Sequence, residues 1–199
     1  MRTSPVRSSR VATGEPPALT VVPPALESHE PFGLGRLYCD AVAAITRLIK
    51  PDSALAVFRK IQATDTAFVP VYLWLGLTYT ELGRYEEGLD AIRKATLLAG
   101  RSPVLLTAGA FIRARMGDTR GAREVIGELE NLSKEMYVSP YYFGEIYNAL
   151  GETDAAIRWF ERAIREKSGA VVYMKVSPTL KSLRNNREFR NILRSAGFD

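Results

Sequence analysis

The chain has 199 residues, of which 46% are hydrophobic and 25% charged, with a formal net charge of +5; this suits one folded domain with extensions and is too apolar for a chain disordered throughout. Its one cysteine, Cys39, and its one histidine, His29, leave no intrachain disulfide, no Cys/His zinc centre and no ordered serine, histidine and acid triad. No run approaches the ~18 consecutive apolar residues of a membrane span.

The opening, MRTSPVRSSRVATGEPPALTVVPPALESHEP, holds six of the eleven prolines and no apolar period. Residues 1–32 therefore read as a disordered or polyproline-like tail. Arg2, Arg7 and Arg10, with no acid before Glu15, have the charge bias of an organelle transit peptide without its amphipathicity. No secretory apolar core follows them, so the expected location is cytoplasmic. Phe32-Gly33-Leu34-Gly35-Arg36 is the nearest approach to a phosphate-cradling loop. It has Tyr38 where a third glycine is needed, and it lacks both a following Lys-Ser/Thr and a preceding strand. No cofactor and no metal are expected.

From residue 33 to 170 the chain repeats itself. One column runs Ala54, Gly88, Ala122, Ala156; a second Phe58, Ile92, Ile126, Phe160; a third Ile61, Ala95, Leu129, Ala163, every step being 34 residues. Residues four and then three apart share a helical stripe, so these columns form the buried face of a second helix in each unit. An upstream helix carries Val42, Gly76, Ala110 and Gly144, small side chains in three of the four units, which let two antiparallel helices approach closely. Between the two, Gly83, Gly117 and Gly151 supply the positive φ that ends a helix. The predicted units are about 35–68, 69–102, 103–136 and 137–170. Lys50-Pro51-Asp52-Ser53 replaces the glycine turn in the first unit, and Pro51 can open a helix. Arg113 stands where the second and fourth units have Tyr79 and Tyr147.

A period of 34 residues with these columns resembles the tetratricopeptide repeat. The second unit is nearest the pattern, with Trp74, Leu75, Gly76, Tyr79, Gly83, Tyr85, Gly88, Ile92 and Ala95. Its tryptophan sits two places late, with Tyr72 in the usual slot. The resemblance implies an all-α superhelix of helix pairs, in which four units exceed the roughly three needed to bury a continuous core.

Past the fourth unit, Pro178 and Arg190 occupy places where small residues are due, and a different element is expected. Residues 171–199 read as a short helical cap over the end of the stack. In it Ser177-Pro178 opens one helix bearing Leu180 and Leu183, and Asn186 caps a second with Phe189, Ile192 and Leu193, stopped by Gly197. The run from Val176-Ser177-Pro178 to Gly197, with Leu150-Gly151-Glu152-Thr153-Asp154 and Trp159-Phe160-Glu161-Arg162-Ala163, resembles the C-terminal tetratricopeptide segments of bacterial signalling proteins: winged-helix regulators, serine/threonine kinases and adenylate cyclases. Ser177 and Arg187 depart from the usual Asp and Pro. Those relatives carry an effector domain upstream, and only the short tail precedes the repeats here, so the resemblance implies the sensor or docking part alone.

In tetratricopeptide proteins the ligand lies in a groove lined by the first helix of each pair. The corresponding positions are Arg36, Cys39, Thr46 and Arg47, then Leu73, Leu77, Thr80 and Glu81, then Thr107, Phe111 and Arg115, then Tyr141, Glu145 and Asn148. The expected protein-binding site is Arg47, Leu73, Leu77, Thr80, Phe111, Arg115, Tyr141, Glu145 and Asn148, with aromatic anchors beside arginine. Alternatively, Leu77 and Phe111 pack between units. The chaperone-binding version of the fold resembles a clamp of Lys, Asn and Arg. Cys39, Ala43, Leu73 and Leu77 stand at the corresponding places here and exclude that specificity.

The expected function is a non-enzymatic module binding a protein or peptide, with the carboxylate pairs Glu86-Glu87 and Glu128-Glu130 read as solvated helix faces. From Arg158 onward ten bases oppose four acids. This basic end offers a second reading, a nucleic-acid-associated regulator, although no aromatic platform interleaves with the bases. Self-association through the stack ends is a third.

Overall fold

The computed structural model describes residues 51–198. The tail, the first helix expected in unit one, and Arg36, Cys39, Thr46 and Arg47 lie outside the described residues. Among the described residues eight α-helices follow in order: α1 Pro51–Thr64, α2 Val69–Glu81, α3 Tyr85–Ala99, α4 Pro103–Arg115, α5 Thr119–Leu132, α6 Pro140–Ala149, α7 Thr153–Arg165 and α8 Arg187–Ser195. Two 3₁₀ segments, Gly169–Tyr173 and Pro178–Leu183, lie between α7 and α8. There is no strand among the described residues.

The helices pack as neighbouring pairs, α2 on α3, α4 on α5 and α6 on α7, and the first helices α2, α4 and α6 also touch one another in line. The small-residue columns explain the pairing. Ala122 and Ala156 are fully buried, as are Ala95, Leu129 and Ala163, which stand seven positions beyond the small residue of their stripes. Gly76 and Gly144 lie where their pairs cross, and a methyl group at Gly144 would stand 2.6 Å from Cε1 of Phe160. Ile61 departs from its column: at 38% exposed it lies on the outer side of α1, whose main described neighbour is α2.

The turn within each pair repeats atom for atom. Gly83, Gly117 and Gly151 have φ of +73°, +92° and +80°. In each case the glycine N–H donates to the carbonyl three residues back, and the next N–H donates to the carbonyl five back, as in Arg84 to Tyr79 (2.8 Å), Asp118 to Arg113 (2.9 Å) and Glu152 to Tyr147 (2.9 Å). This double bond satisfies the last carbonyls of the helix and reverses the chain.

The structure revises the C-terminal end. Helices begin at residues 51, 85, 119, 153 and 187, one every 34 residues, so the spacing continues through α8 although the residue types change. Pro178–Leu183 sits against α6, as α6 sits against α4, and α8 sits against α7. The cap thus occupies the place of a further pair. Its first element is a 3₁₀ segment rather than an α-helix, because only six residues separate Ser177 from Arg184 and short runs favour the tighter turn. Ser177 does not cap it; its hydroxyl is committed to Glu145 instead, at 3.1 Å. Asn186 does cap α8, its Oδ1 accepting from the Phe189 N–H at 2.9 Å. Leu180, Phe189 and Phe160 are fully buried in one core with Tyr141, Met174 and Leu183.

Candidate binding site

The face made by α2, α4 and α6 carries a cavity of about 260 Å³. Leu73, Trp74 and Leu77 contribute from α2; Val104, Thr107, Ala108 and Phe111 from α4; Tyr141, Tyr142 and Glu145 from α6. Tyr173 and the stretch Val176–Thr179 close the far side. Successive turns of each first helix bring residues four apart to one face, which is why Leu73 with Leu77, Thr107 with Phe111, and Tyr141 with Glu145 come together.

Most of the wall is apolar, and the polar groups gather at the end nearest the cap. There Oε1 of Glu145 accepts from the Tyr141 hydroxyl at 2.9 Å, from the Ser177 hydroxyl at 3.1 Å and from the Thr179 hydroxyl. Burial holds the Glu145 carboxyl above its ordinary range, against the opposing pull of the Thr179, Tyr141 and Ser177 hydroxyls. Burial, reinforced by the neighbouring Glu145, raises the Tyr141 phenol well above its usual value and raises Tyr142 in the same direction. Thr107 is 3% exposed, and its hydroxyl has no hydrogen-bond partner among the described residues.

The residues expected in the groove therefore divide. Leu73, Leu77, Phe111, Tyr141 and Glu145 line this one cavity. Leu77 and Phe111 are also buried in a cluster with Ile92, Ala108 and Ile112, so they pack between units as well as lining the cavity. Thr80 is turned into the α2–α3 pair, where its hydroxyl donates to the Gly76 carbonyl at 2.8 Å. Asn148 holds the cap, donating to the Thr179 carbonyl at 2.8 Å and accepting from the Ser182 hydroxyl at 3.0 Å. Arg115 is exposed at the end of α4. Arg113, in the place of an aromatic, pairs with Asp118 at 3.2 Å on the outer side.

Sequence reasoning did not place Trp74, Val104, Ala108, Tyr142, Tyr173 or Val176–Thr179 at the site. A signal for the last group exists: Thr179 follows Glu145 by 34 residues and Ser182 follows Asn148 by 34, the repeat interval itself. Carrying the register past residue 170 would have set the cap beside the groove positions of α6.

A family model described as tetratricopeptide repeat matches residues 69–101 and 141–168. The first match spans α2 and α3, the second α6 and α7 with the residues that follow. The chain carries tetratricopeptide repeats. No curated protein matches it. Tetratricopeptide repeats generally mediate protein–protein interaction, and the family is typically non-catalytic. In this tetratricopeptide array Glu87 is paired with Arg84 and Glu128 with Arg101 on the surface. Among the described residues no group of three or more His, Cys, Asp or Glu side chains could hold a metal ion, and no helix is long and apolar enough to cross a membrane. A second, open cleft lies at the end of the array, lined by Lys175, Arg187, Arg190, Leu193, Arg194 and Phe198.

Proposed function

We propose that this tetratricopeptide protein is a non-enzymatic interaction module that takes a peptide segment of a partner protein into the cavity between α2, α4, α6 and the C-terminal cap. The observation that carries the reading is the cavity itself: an apolar wall from three consecutive first helices with polar groups at one end, the make-up of a site that anchors one bulky side chain and orients it. The resemblance of the C-terminal quarter to the repeat segments of bacterial signalling proteins supports a place in a bacterial signalling or regulatory assembly, in the cytoplasm.

Leu73, half-buried, and Val104, 39% exposed, stand at the rim, so charges can be placed there without emptying the core. A displayed random-peptide library should yield binders to the intact protein that the Leu73→Asp, Val104→Asp double variant no longer holds, with helicity unchanged. Equal retention by both proteins would move the site elsewhere.

The basic cleft supports a second reading, contact with nucleic acid through Arg187, Arg190 and Arg194 on one side of α8. That reading requires binding that weakens with salt at a slope of about −0.9 per phosphate contacted on duplex DNA.

A further inference from the structure

We propose that the cavity recognises an ammonium group carried on an apolar body, with the nitrogen at Glu145 and the body between Trp74, Leu77 and Phe111. The inference rests on the reading above that this cavity is the binding site, and adds the chemistry of what enters it. Three observations converge. First, among the described residues Glu145 is the only carboxylate that lines the cavity and no Lys, Arg or His lines it, so an anion would meet a buried like charge with no counter-ion there. Second, the three hydroxyls that reach Glu145 all donate to Oε1, and Oε2 takes part in no hydrogen bond among the described residues. Third, the Thr107 hydroxyl lines the same cavity, is almost wholly buried and has no hydrogen-bond partner among the described residues.

A buried group left without a partner is costly, as the Thr107 hydroxyl is, and both that hydroxyl and Glu145 Oε2 can accept a hydrogen bond. An ammonium brings three N–H donors and one positive charge. Its donors match the two acceptors, Oε2 and Thr107 Oγ1, that line the one cavity, and its charge is the counter-charge that Glu145 lacks there. The walls suit the remainder of the ligand. Tyr141 and Tyr142 pack edge to face at 5.8 Å beside Glu145, and aromatic faces attract a desolvated cation. A cavity of about 260 Å³ has room for one aromatic or branched side chain with its amine. The same chemistry is offered by a free aromatic amine and by an apolar peptide bearing a lysine or a free N-terminus.

The test is a titration of the full ¹⁵N-labelled chain with phenethylammonium, 2-phenylethanol and 3-phenylpropionate, which share a ring and differ in charge, read from the amides of Thr107, Phe111, Glu145 and Thr179. The cation should bind at least about tenfold tighter than the alcohol, and the anion should leave these amides unmoved. Glu145→Gln should bring cation and alcohol to within about threefold of each other, and Thr107→Val, a milder change, should weaken the cation alone. Equal binding of cation and alcohol by the unaltered protein, or preference for the anion, overturns the ammonium assignment while leaving the cavity as a site. If none of the probes moves these amides and the peptide binders are indifferent to Leu73→Asp, Val104→Asp, the cavity reading falls as well. A peptide with a free N-terminal Phe, compared with its acetylated form and with phenethylammonium, then assigns the source. Tighter binding of the free-amine peptide points to a protein partner, and tighter binding of the small amine to a metabolite.

Discussion

Gly144 and Gly127 lie on neighbouring helices and carry opposite expectations. A Cβ at Gly144 would stand 2.6 to 2.9 Å from three ring carbons of Phe160, which is fully buried and packed at 5.7 Å against both Tyr141 and Phe189. That ring cannot retreat, so Gly144→Ala should cost about 1–3 kcal/mol in urea unfolding. At Gly76 the contact is the flexible end of Ile92, 2.8 Å away, and the same change should cost less. At Gly127, inside α5, nothing lies within 4 Å of the added carbon, and Gly127→Ala should instead stabilise by about 0.5–1 kcal/mol through helix propensity. Loss of stability at Gly127, or none at Gly144, would refute the packing described. Glu145 makes a further expectation. With its carboxyl held above the ordinary value by burial, the native state keeps a proton that the unfolded chain releases. Its contribution is therefore most favourable in acid and declines as pH rises from the unfolded toward the native pKa. Gln can keep an acceptor oxygen for the three hydroxyls without this penalty. Melting curves of Glu145→Gln and the unaltered protein should converge in acid and diverge toward neutral pH, with the variant the more stable there; the opposite divergence would show that the site holds the charge without cost.

Among the elements, the turns show how far a pattern can be read. The glycines at 83, 117 and 151 announce their turns because only a residue without Cβ adopts positive φ freely. The end of α7 uses the same pair of bonds, Lys167 N–H to Ile164 at 2.9 Å and Ser168 N–H to Ala163 at 2.9 Å, but places Lys167 at φ +53°. Nothing in the lysine side chain signals this; the next residue, Ser168, is anchored by a 2.6 Å hydrogen bond between its hydroxyl and that of Ser139. Lys167→Gly should relieve the strain and stabilise by about 1 kcal/mol, seen as a higher urea midpoint with unchanged slope. A lower midpoint would mean that lysine contacts outweigh the backbone cost. The α5–α6 connection is similarly silent. α6 begins at Pro140 and has 10 residues against 13 in α2 and α4, so its first turn is replaced by a loop in which Tyr137 is 64% exposed.

Across the whole molecule the buried clusters follow one another along the array, from Phe58 and Leu75 through Ile92 and Phe111 and then Ile126 and Ile146 to Phe160 and Phe189. In such an array stability is the sum of units and of interfaces between neighbours. Leu180, fully buried, ties the cap to α6 and α7 and should cost about 2–5 kcal/mol when cut to alanine. Because that interface is at one end, amide exchange in Leu180→Ala should accelerate in α6, α7 and α8 well before α2 and α3. Uniform acceleration would mean that the array unfolds as one unit. The cap also joins the site to the end of the molecule, since Asn148 and Glu145 hold Thr179 in place beside the cavity.

The repeat, its helix pairs and the identity of the close crossings were legible in the linear chain because each depends on residues within one 34-residue interval: a small side chain, an apolar stripe and a glycine of positive φ. That Leu73, Leu77 and Phe111 share one face of the first helices was legible for the same reason, being set by position within a unit. Whether those positions stay open was not, because that depends on what lies one interval away. Ser177 and Thr179 reach Glu145 across 32 and 34 residues, through hydroxyls whose sequence context suggested helix capping. Folding turns those hydroxyls inward, buries Tyr141, Glu145 and Asn148 under the cap, and converts part of a groove into a cavity with one carboxylate at its end.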